Sequence, residues 1–204
     1  EFQWQALKNN PQAAVAYSWT DYIDESSNFL KSGRRIKVNG DAFSKLLVTN
    51  FLENGSNPLI SKEALEKVGG FDESLTAAED KDMWLRLAAN YEFVCVEKPQ
   101  ILYRTSTTSM STNLNRQEAE SLKVIERAFS NPKAEKLQHL KKQSLSHLYQ
   151  YLTFKAIEAS PKQRHTFTAI NFLWNWIKNN PSVLKNKRLI IIAAVKILLP
   201  QLFH

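Results

Sequence analysis

The chain of 204 residues has a single cysteine, Cys95, so no intrachain disulfide can form, which fits a reducing compartment. Cys95 lies in the apolar run Phe93-Val94-Cys95-Val96 and reads as a small core residue. Glycine is scarce, with five in all, and none belongs to a Gly-rich phosphate loop or a nucleophile elbow. The histidines (His139, His147, His165 and His204) lack the spacing of zinc ligands. The apolar run at the C-terminal end, Leu189 to Leu199, is shorter than the roughly 20 residues a spanning helix needs. No acidic side chain occurs between Ala159 and His204. The first residue is Glu1 rather than Met and no signal peptide precedes it, so the chain is expected to be a piece of a longer one.

What is present is ordinary for a globular protein that can bury a sizeable core: 43% apolar and 23% charged residues. Charge is placed unevenly. Residues 1–112 carry twelve Lys and Arg against fifteen Asp and Glu, a net of −3. Residues 113–204 carry fifteen against five, a net of +10. An acidic half joined to a basic one reads as two units with different partners.

In the first half, Glu1 to Asn9 reads as a short helix ended before Pro11. Ala13 to Trp19 reads as a strand, and the acidic turn with Asp21, Asp24 and Glu25 follows it. That turn is taken as solvated rather than as a metal site. Phe43 to Leu52 has helical spacing. Asn54-Gly55-Ser56 is formally a glycosylation sequon but reads as a turn. Glu92–Val96 and Ile101–Arg104 read as two short strands around a Lys98-Pro99 turn. Thr105 to Thr112, almost wholly Ser and Thr, reads either as a polar lid over a phosphate or as a plain linker.

The stretch from Val68 to Leu87 organises the rest. A helix opens at Ser61, a capping side chain, and stops at Gly69, which can take a positive φ. Thr76 and Glu79 have capping-box spacing for the next helix, which buries Met83, Trp84, Leu87 and Ala88. Asp82 and Arg86, four apart, are expected to pair on its surface. Glu79 and Asp80 fall in its first turn, facing the positive end of the helix dipole. By local pattern alone these acids either cap the helix or do chemistry.

Gly-Gly-Phe-Asp-Glu (69–73), Glu-Asp-Lys-Asp-Met-Trp-Leu-Arg-Leu (79–87), Leu-Tyr-Arg (102–104) and Ser-Met-Ser (109–111) occur in one order. Together they resemble family 2 glycosyltransferases of the GT-A fold, over about residues 10 to 113. The resemblance implies an α/β architecture: the C-terminal half of a GT-A mixed sheet with flanking helices over 1–112, then an all-helical bundle over 113–204. It implies transfer of a sugar from a nucleotide-sugar donor to a hydroxyl of a sugar or lipid-linked acceptor, with inversion, in polysaccharide, cell-envelope or glycolipid synthesis. Asp80 matches the family's base and Glu79 its acceptor-orienting neighbour. Trp84 matches the aromatic beneath the site, while Arg104 and Asn57 match substrate-side positions. A divalent metal (Mg or Mn) is implied, but the Asp-x-Asp motif and the nucleotide-binding half that precede these motifs in the family are not in this sequence. Asp80-Lys81-Asp82 has the letters of that motif inside a helix. The chain alone is therefore expected to be inactive.

The second half reads as helices ended at Asn131-Pro132, Ser160-Pro161 and Asn180-Pro181, at intervals too uneven for a true repeat. The tail 185–203, nearly apolar behind Lys185, Lys187 and Arg188, either closes the bundle or rests on an anionic membrane surface. Cytoplasmic placement, peripheral on the inner face of the membrane, is the expectation. The rival reading is a non-catalytic basic scaffold for an acidic partner such as nucleic acid, with Trp174 and Trp176 stacking bases. The resemblance argues against a nucleic-acid partner.

Overall fold

A computed structural model describes residues 1–105, 113–158, 166–185 and 187–198. The Ser and Thr stretch beyond Thr105 and the tail beyond Leu198 lie outside the described residues.

Helix α1 (Phe2–Asn9) leads into β1 (Ala13–Ile23), the central strand of a mixed four-stranded sheet. β4 (Glu92–Arg104) runs parallel to β1 along its whole length. β2 (Phe29–Ser32) and β3 (Leu59–Ile60) pair antiparallel with β1, β3 near its start and β2 near its end. A parallel pair needs a crossover, and this one carries α2 (Phe43–Val48), α3 (Lys62–Val68) and α4 (Glu79–Asn90). Ala14 to Ser18 are all buried, so helices and loops cover both faces of β1 there. The α/β expectation is met. Beyond the sheet come α5 (Leu114–Phe129), a 3-10 helix (Pro132–Leu140) and α6 (Lys141–Glu158). They are followed by α7 (Thr166–Asn179), a second 3-10 turn (Pro181–Lys185) and α8 (Lys187–Leu198).

Three local expectations change. The Lys98-Pro99 turn is a bulge inside one continuous strand: Ser18 faces Val96, Trp19 faces Pro99 and Thr20 faces Ile101. Proline lacks the N–H that a ladder uses, so it is tolerated at a bulge. The capping box at Thr76 does not form; α4 starts from Ala78, whose φ is 59° and whose side chain caps nothing. Asp82 is 2% exposed and not on the surface. By contrast, Ser61 Oγ accepts from Ala64 N at 3.3 Å, and Gly69 ends α3 at φ 86°. At Gly33 a side chain would meet the Glu53 carboxylate and lie 2.6 Å from the Thr20 carbonyl, so only glycine fits.

Packing does not divide at residue 112. Val124, Ile125, Ala128, Phe129 and Ala134 belong to the same core as Val15, Tyr17, Phe43, Leu47, Met83, Trp84 and Phe93. A second core begins within α6, from Tyr149 and Leu152 to Ala169, Phe172, Trp176, Ala193 and Ile197. Leu148 packs against both. Of the two tryptophans considered for base stacking, Trp176 is buried and Trp174 is exposed.

The tie between α4 and its surroundings is ionic. Asp82 Oδ2 accepts from Arg86 Nε at 2.7 Å, and Asp82 Oδ1 accepts from Arg127 Nη1, on α5, at 2.8 Å. Arg86 also donates to the carbonyls of Val68 at 2.6 Å and Gly70 at 2.7 Å, the open carbonyl end of α3. Arg127 Nη1 reaches Asp72 Oδ2 at 2.8 Å. The hydrogen bonds of Ser74, and then the Arg127 guanidinium, hold the Asp72 carboxyl down to about 2. Removing one partner of a buried pair leaves a charge uncompensated. Asp82→Ala is expected to lower the unfolding free energy by about 3 kcal/mol. Arg127→Ala should cost less, since Arg127 is half exposed and Arg86 stays on the carboxylate. Urea unfolding of both variants checks this; a loss under about 1 kcal/mol for Asp82→Ala would mark an ordinary surface pair.

Candidate active site

The site is built outward from β1. The loop between α2 and β3 lies across that strand and is held by two asparagines. Asn57 Oδ1 accepts from Ser18 N at 2.8 Å, and its Nδ2 donates to the carbonyls of Ser18 at 2.7 Å and Leu52 at 2.9 Å. Asn54 Nδ2 donates to Thr20 Oγ1 at 3.0 Å. Both are buried, and the Asn57 amide is fully engaged within the protein. Glu53, in the same loop, adopts φ 69° and accepts from Arg34 N at 3.0 Å. Gly55 is thereby laid against Asp80: a Cβ on it would lie 3.9 Å from the Asp80 Cβ.

α4 presents the acids from the other side. The left-handed turn at Ala78, which costs an L-residue about 1 kcal/mol, swings the chain into the helix. Glu79 and Asp80 are its first two residues. Asp80 Oδ1 accepts from Lys81 N at 2.6 Å, and Oδ2 accepts weakly from Asn50 Nδ2 at 3.4 Å. Burial pushes the Asp80 carboxyl above the ordinary range, and the neighbouring Glu79 charge adds to this. The backbone bond at Lys81, the Asn50 amide and the Lys81 charge pull the other way. Desolvation is the largest effect, so Asp80 holds its proton more tightly than a free carboxylate. Among the described residues the Glu79 side chain takes part in no ion pair with a cation.

Cations gather around Lys81 and His147. Burial pushes the Lys81 ammonium down to about 8, against the pull of Asp80. His147, on α6, is lowered by burial and then by the charges of Arg34, Lys81 and Lys45. α6 is fixed here by Ser144 Oγ, which donates to the Leu47 carbonyl at 2.6 Å. Arg34 is anchored through Thr49 Oγ1.

The residues expected at the site thus separate. Asp80 and Glu79 stand together at the head of α4. Trp84 lies one turn further on, buried, with Phe71 edge-on at 6.2 Å between ring centres. Arg104 stands at the end of β4. Its Nη1 donates to the carbonyls of Asp24 at 2.9 Å and Glu25 at 2.8 Å, and its Nη2 to Ser27 Oγ at 3.1 Å. Its fork therefore holds the acidic turn. The expected divalent metal finds no fitting ligands among the described residues. Positions 80 and 82 fall on opposed sides of a helix, and Asp82 is held by two arginines. Among the described residues no cluster of His, Cys, Asp and Glu could hold an ion. Sequence reasoning missed Asn50, Lys81 and His147. Lys81 had a signal, a cation wedged between two acids, but Asn50 and His147 reach the site only through folding. A polar cavity of about 350 Å³, lined by Gln12, Asp41, Ala89, Asn90, Tyr91, Glu92 and Lys133, sits at the other end of α4. That is roughly 15 Å from Asp80 at 1.5 Å per residue, too far to serve it.

Known proteins resemble this chain over much of its length. An uncharacterized glycosyltransferase of Methanocaldococcus jannaschii is 30% identical over 105 residues, which are 51% of this chain and 36% of that protein. The chain spans little more than a third of that relative's length. A model of the glycosyltransferase-like family 2 matches residues 2–156, from the first turn of α1 into the last turn of α6. With most of its length under that model, the chain belongs to the glycosyltransferase-like family 2.

Proposed function

We propose that these residues form the acceptor side of an inverting glycosyltransferase that uses a nucleotide-sugar donor. The observation that carries the reading is the Asp80 carboxylate. It is desolvated at a helix N-terminus, one oxygen has only a long contact with Asn50, and Gly55 lies beside it without a side chain. Asp80 takes the proton of the acceptor hydroxyl. The freed oxygen attacks the anomeric carbon, and the bond to the nucleoside diphosphate breaks with its electron pair going to the phosphate oxygen. A raised proton affinity makes Asp80 a stronger base than a free carboxylate, provided it is ionised at working pH. Glu79, beside Asp80 in the same turn, accepts hydrogen bonds from acceptor hydroxyls and orients them. Trp84 and Phe71 form the floor beneath. Asn57 and Arg104 act by position, holding the loops on either side of the sheet. The acceptor is a sugar or lipid-linked sugar of polysaccharide, cell-envelope or glycolipid synthesis.

Family 2 glycosyltransferases generally use a divalent metal, which supplies neutralisation of the leaving diphosphate. Among the described residues no group of carboxylates fits it, so we place metal and donor binding outside them. The 204-residue chain alone is then expected to release no nucleoside diphosphate from nucleotide sugars. Measurable release would move the donor site inside it.

In the enzyme with its donor-binding part present, Asp80→Asn should lower turnover by about two to four orders of magnitude with donor affinity nearly intact. Near-normal turnover would remove Asp80 from the role of base. The same substitution should not destabilise the fold at neutral pH. A carboxyl with a raised folded pKa costs stability once pH passes its unfolded value, and the cost is complete above the folded value. Asparagine removes that cost, so the melting temperature at pH 7 should match or exceed the parent's. The acid limb of kcat/KM should lie above the ordinary carboxylate range. It should move further up in Lys81→Met, which removes a cation favouring the ionised acid.

A further inference from the structure

α7 has two apolar faces, and only one of them is used. Ala169, Phe172 and Trp176 are buried in the second core. On the opposite side, at helical spacing, Phe167 is 88% exposed, Ile170 41% and Trp174 64%. A single exposed apolar residue is common, whereas three large ones in line on one helix mark a contact surface. Lys178, also exposed, continues the same side of α7 one turn beyond Trp174. The elements packed on α7 add to the exposed apolar surface: Leu184 in the 3-10 turn, and Ile191 and Ile192 on α8. α8 itself answers one open question in part. Its Ala193 and Ile197 close the second core, so the helix is structural on one side and open on the other.

Charge decides between occupants. From residue 159 to 204 the sequence has seven Lys and Arg and no Asp or Glu. A second copy of this chain would bring like charges face to face with no acid to offset them. An anionic lipid surface offers both halves of the match: headgroup charge for the lysines and an acyl boundary for the aromatic and aliphatic side chains. Tryptophan suits such an interface because its ring is apolar and its N–H is not. No helix among the described residues is long and apolar enough to cross a membrane, so contact would be along the surface. The face also lies beyond the residues that the family model covers, 2–156.

We propose that the exposed face of α7, with Phe167, Ile170 and Trp174 as anchors and Lys178 and Lys185 beside them, docks this protein on an anionic lipid surface. This differs from a dock formed by the tail alone, because the aromatic anchors precede it. It stands independently of the catalytic reading, since none of these residues lies at Asp80.

The test is co-sedimentation of the 204-residue protein with vesicles of phosphatidylcholine and phosphatidylglycerol in equal parts, against phosphatidylcholine alone. Binding to the mixed vesicles should be strong at low salt and largely released at high salt, and weak to the neutral ones. The double variant Phe167→Ser, Trp174→Ser should partition about tenfold less or lower, because burial of such side chains supplies the non-ionic part of binding. Its thermal melt should match the parent's, since both side chains are exposed. Lys178→Gln with Lys185→Gln should weaken binding to mixed vesicles alone. Equal sedimentation of parent and Phe167/Trp174 variant, or no binding by the parent, overturns the proposal. So does a parent dimer in light scattering that the same variant dissociates without any vesicle binding, which would make the face a contact between copies.

Discussion

A single buried carboxylate, Asp82, sets the position of the helix that carries the site. Its two oxygens are taken by Arg86 of the same helix and Arg127 of α5, and those arginines extend to the end of α3 and to Asp72. One ion cluster thus joins the Gly-Gly turn, α4 and α5. Charges taken out of water are costly unless each is met, and here each is met by geometry that only one orientation of α4 provides. Asp80 stands two residues earlier on the same helix, so fixing Asp82 inward fixes Asp80 outward, toward Asn50 and Gly55. The ionic cluster and the candidate base are two sides of one helical turn.

At the site itself, effects that oppose each other are held in balance. The helix N-terminus, a backbone N–H and Lys81 favour the charged form of Asp80; burial and Glu79 oppose it, and burial is the larger effect. Strain is concentrated nearby, with two non-glycine residues, Glu53 and Ala78, in the left-handed region on either side of the acid. Rigid elements hold these turns. Asn54 and Asn57 fasten one to the buried central strand, and the Asp82 cluster fastens the other. A site placed between two such anchored turns can hold a desolvated acid, since neither turn is free to relax and let water in.

The second half of the chain changes character along its length. Up to the middle of α6 it completes the core begun by the sheet, burying Ile125, Phe129 and Ala134 there. After that it builds its own core and loses its acidic side chains. The point where packing changes, near Leu148, lies close to the end of the family match at 156 rather than at the shift of composition near 112. Composition responds to net charge, which a helix can carry on its outer face while its inner face joins either core.

The sequence by itself determined the class of fold, the order of the motifs and the family. Those rest on local rules: Val, Tyr and Trp for β1, Ser61 and Gly69 as the ends of α3, and acids in the first turn of α4. Each depends on residues within a few positions of one another, so it can be read without the fold. Tertiary structure decided the rest. Asp82 and Arg86 look like a surface pair at four-residue spacing, and only the arrival of Arg127, forty-five positions away, makes the pair buried. Thr76 has the spacing of a cap, but the chain turns at Ala78 and leaves Thr76 exposed. Lys98-Pro99 has the letters of a turn, yet parallel pairing with β1 along both flanks absorbs it as a bulge. Asn50 and His147 carry no local mark at all. Their roles come from which surfaces are covered when distant segments meet, and no window of sequence contains both partners.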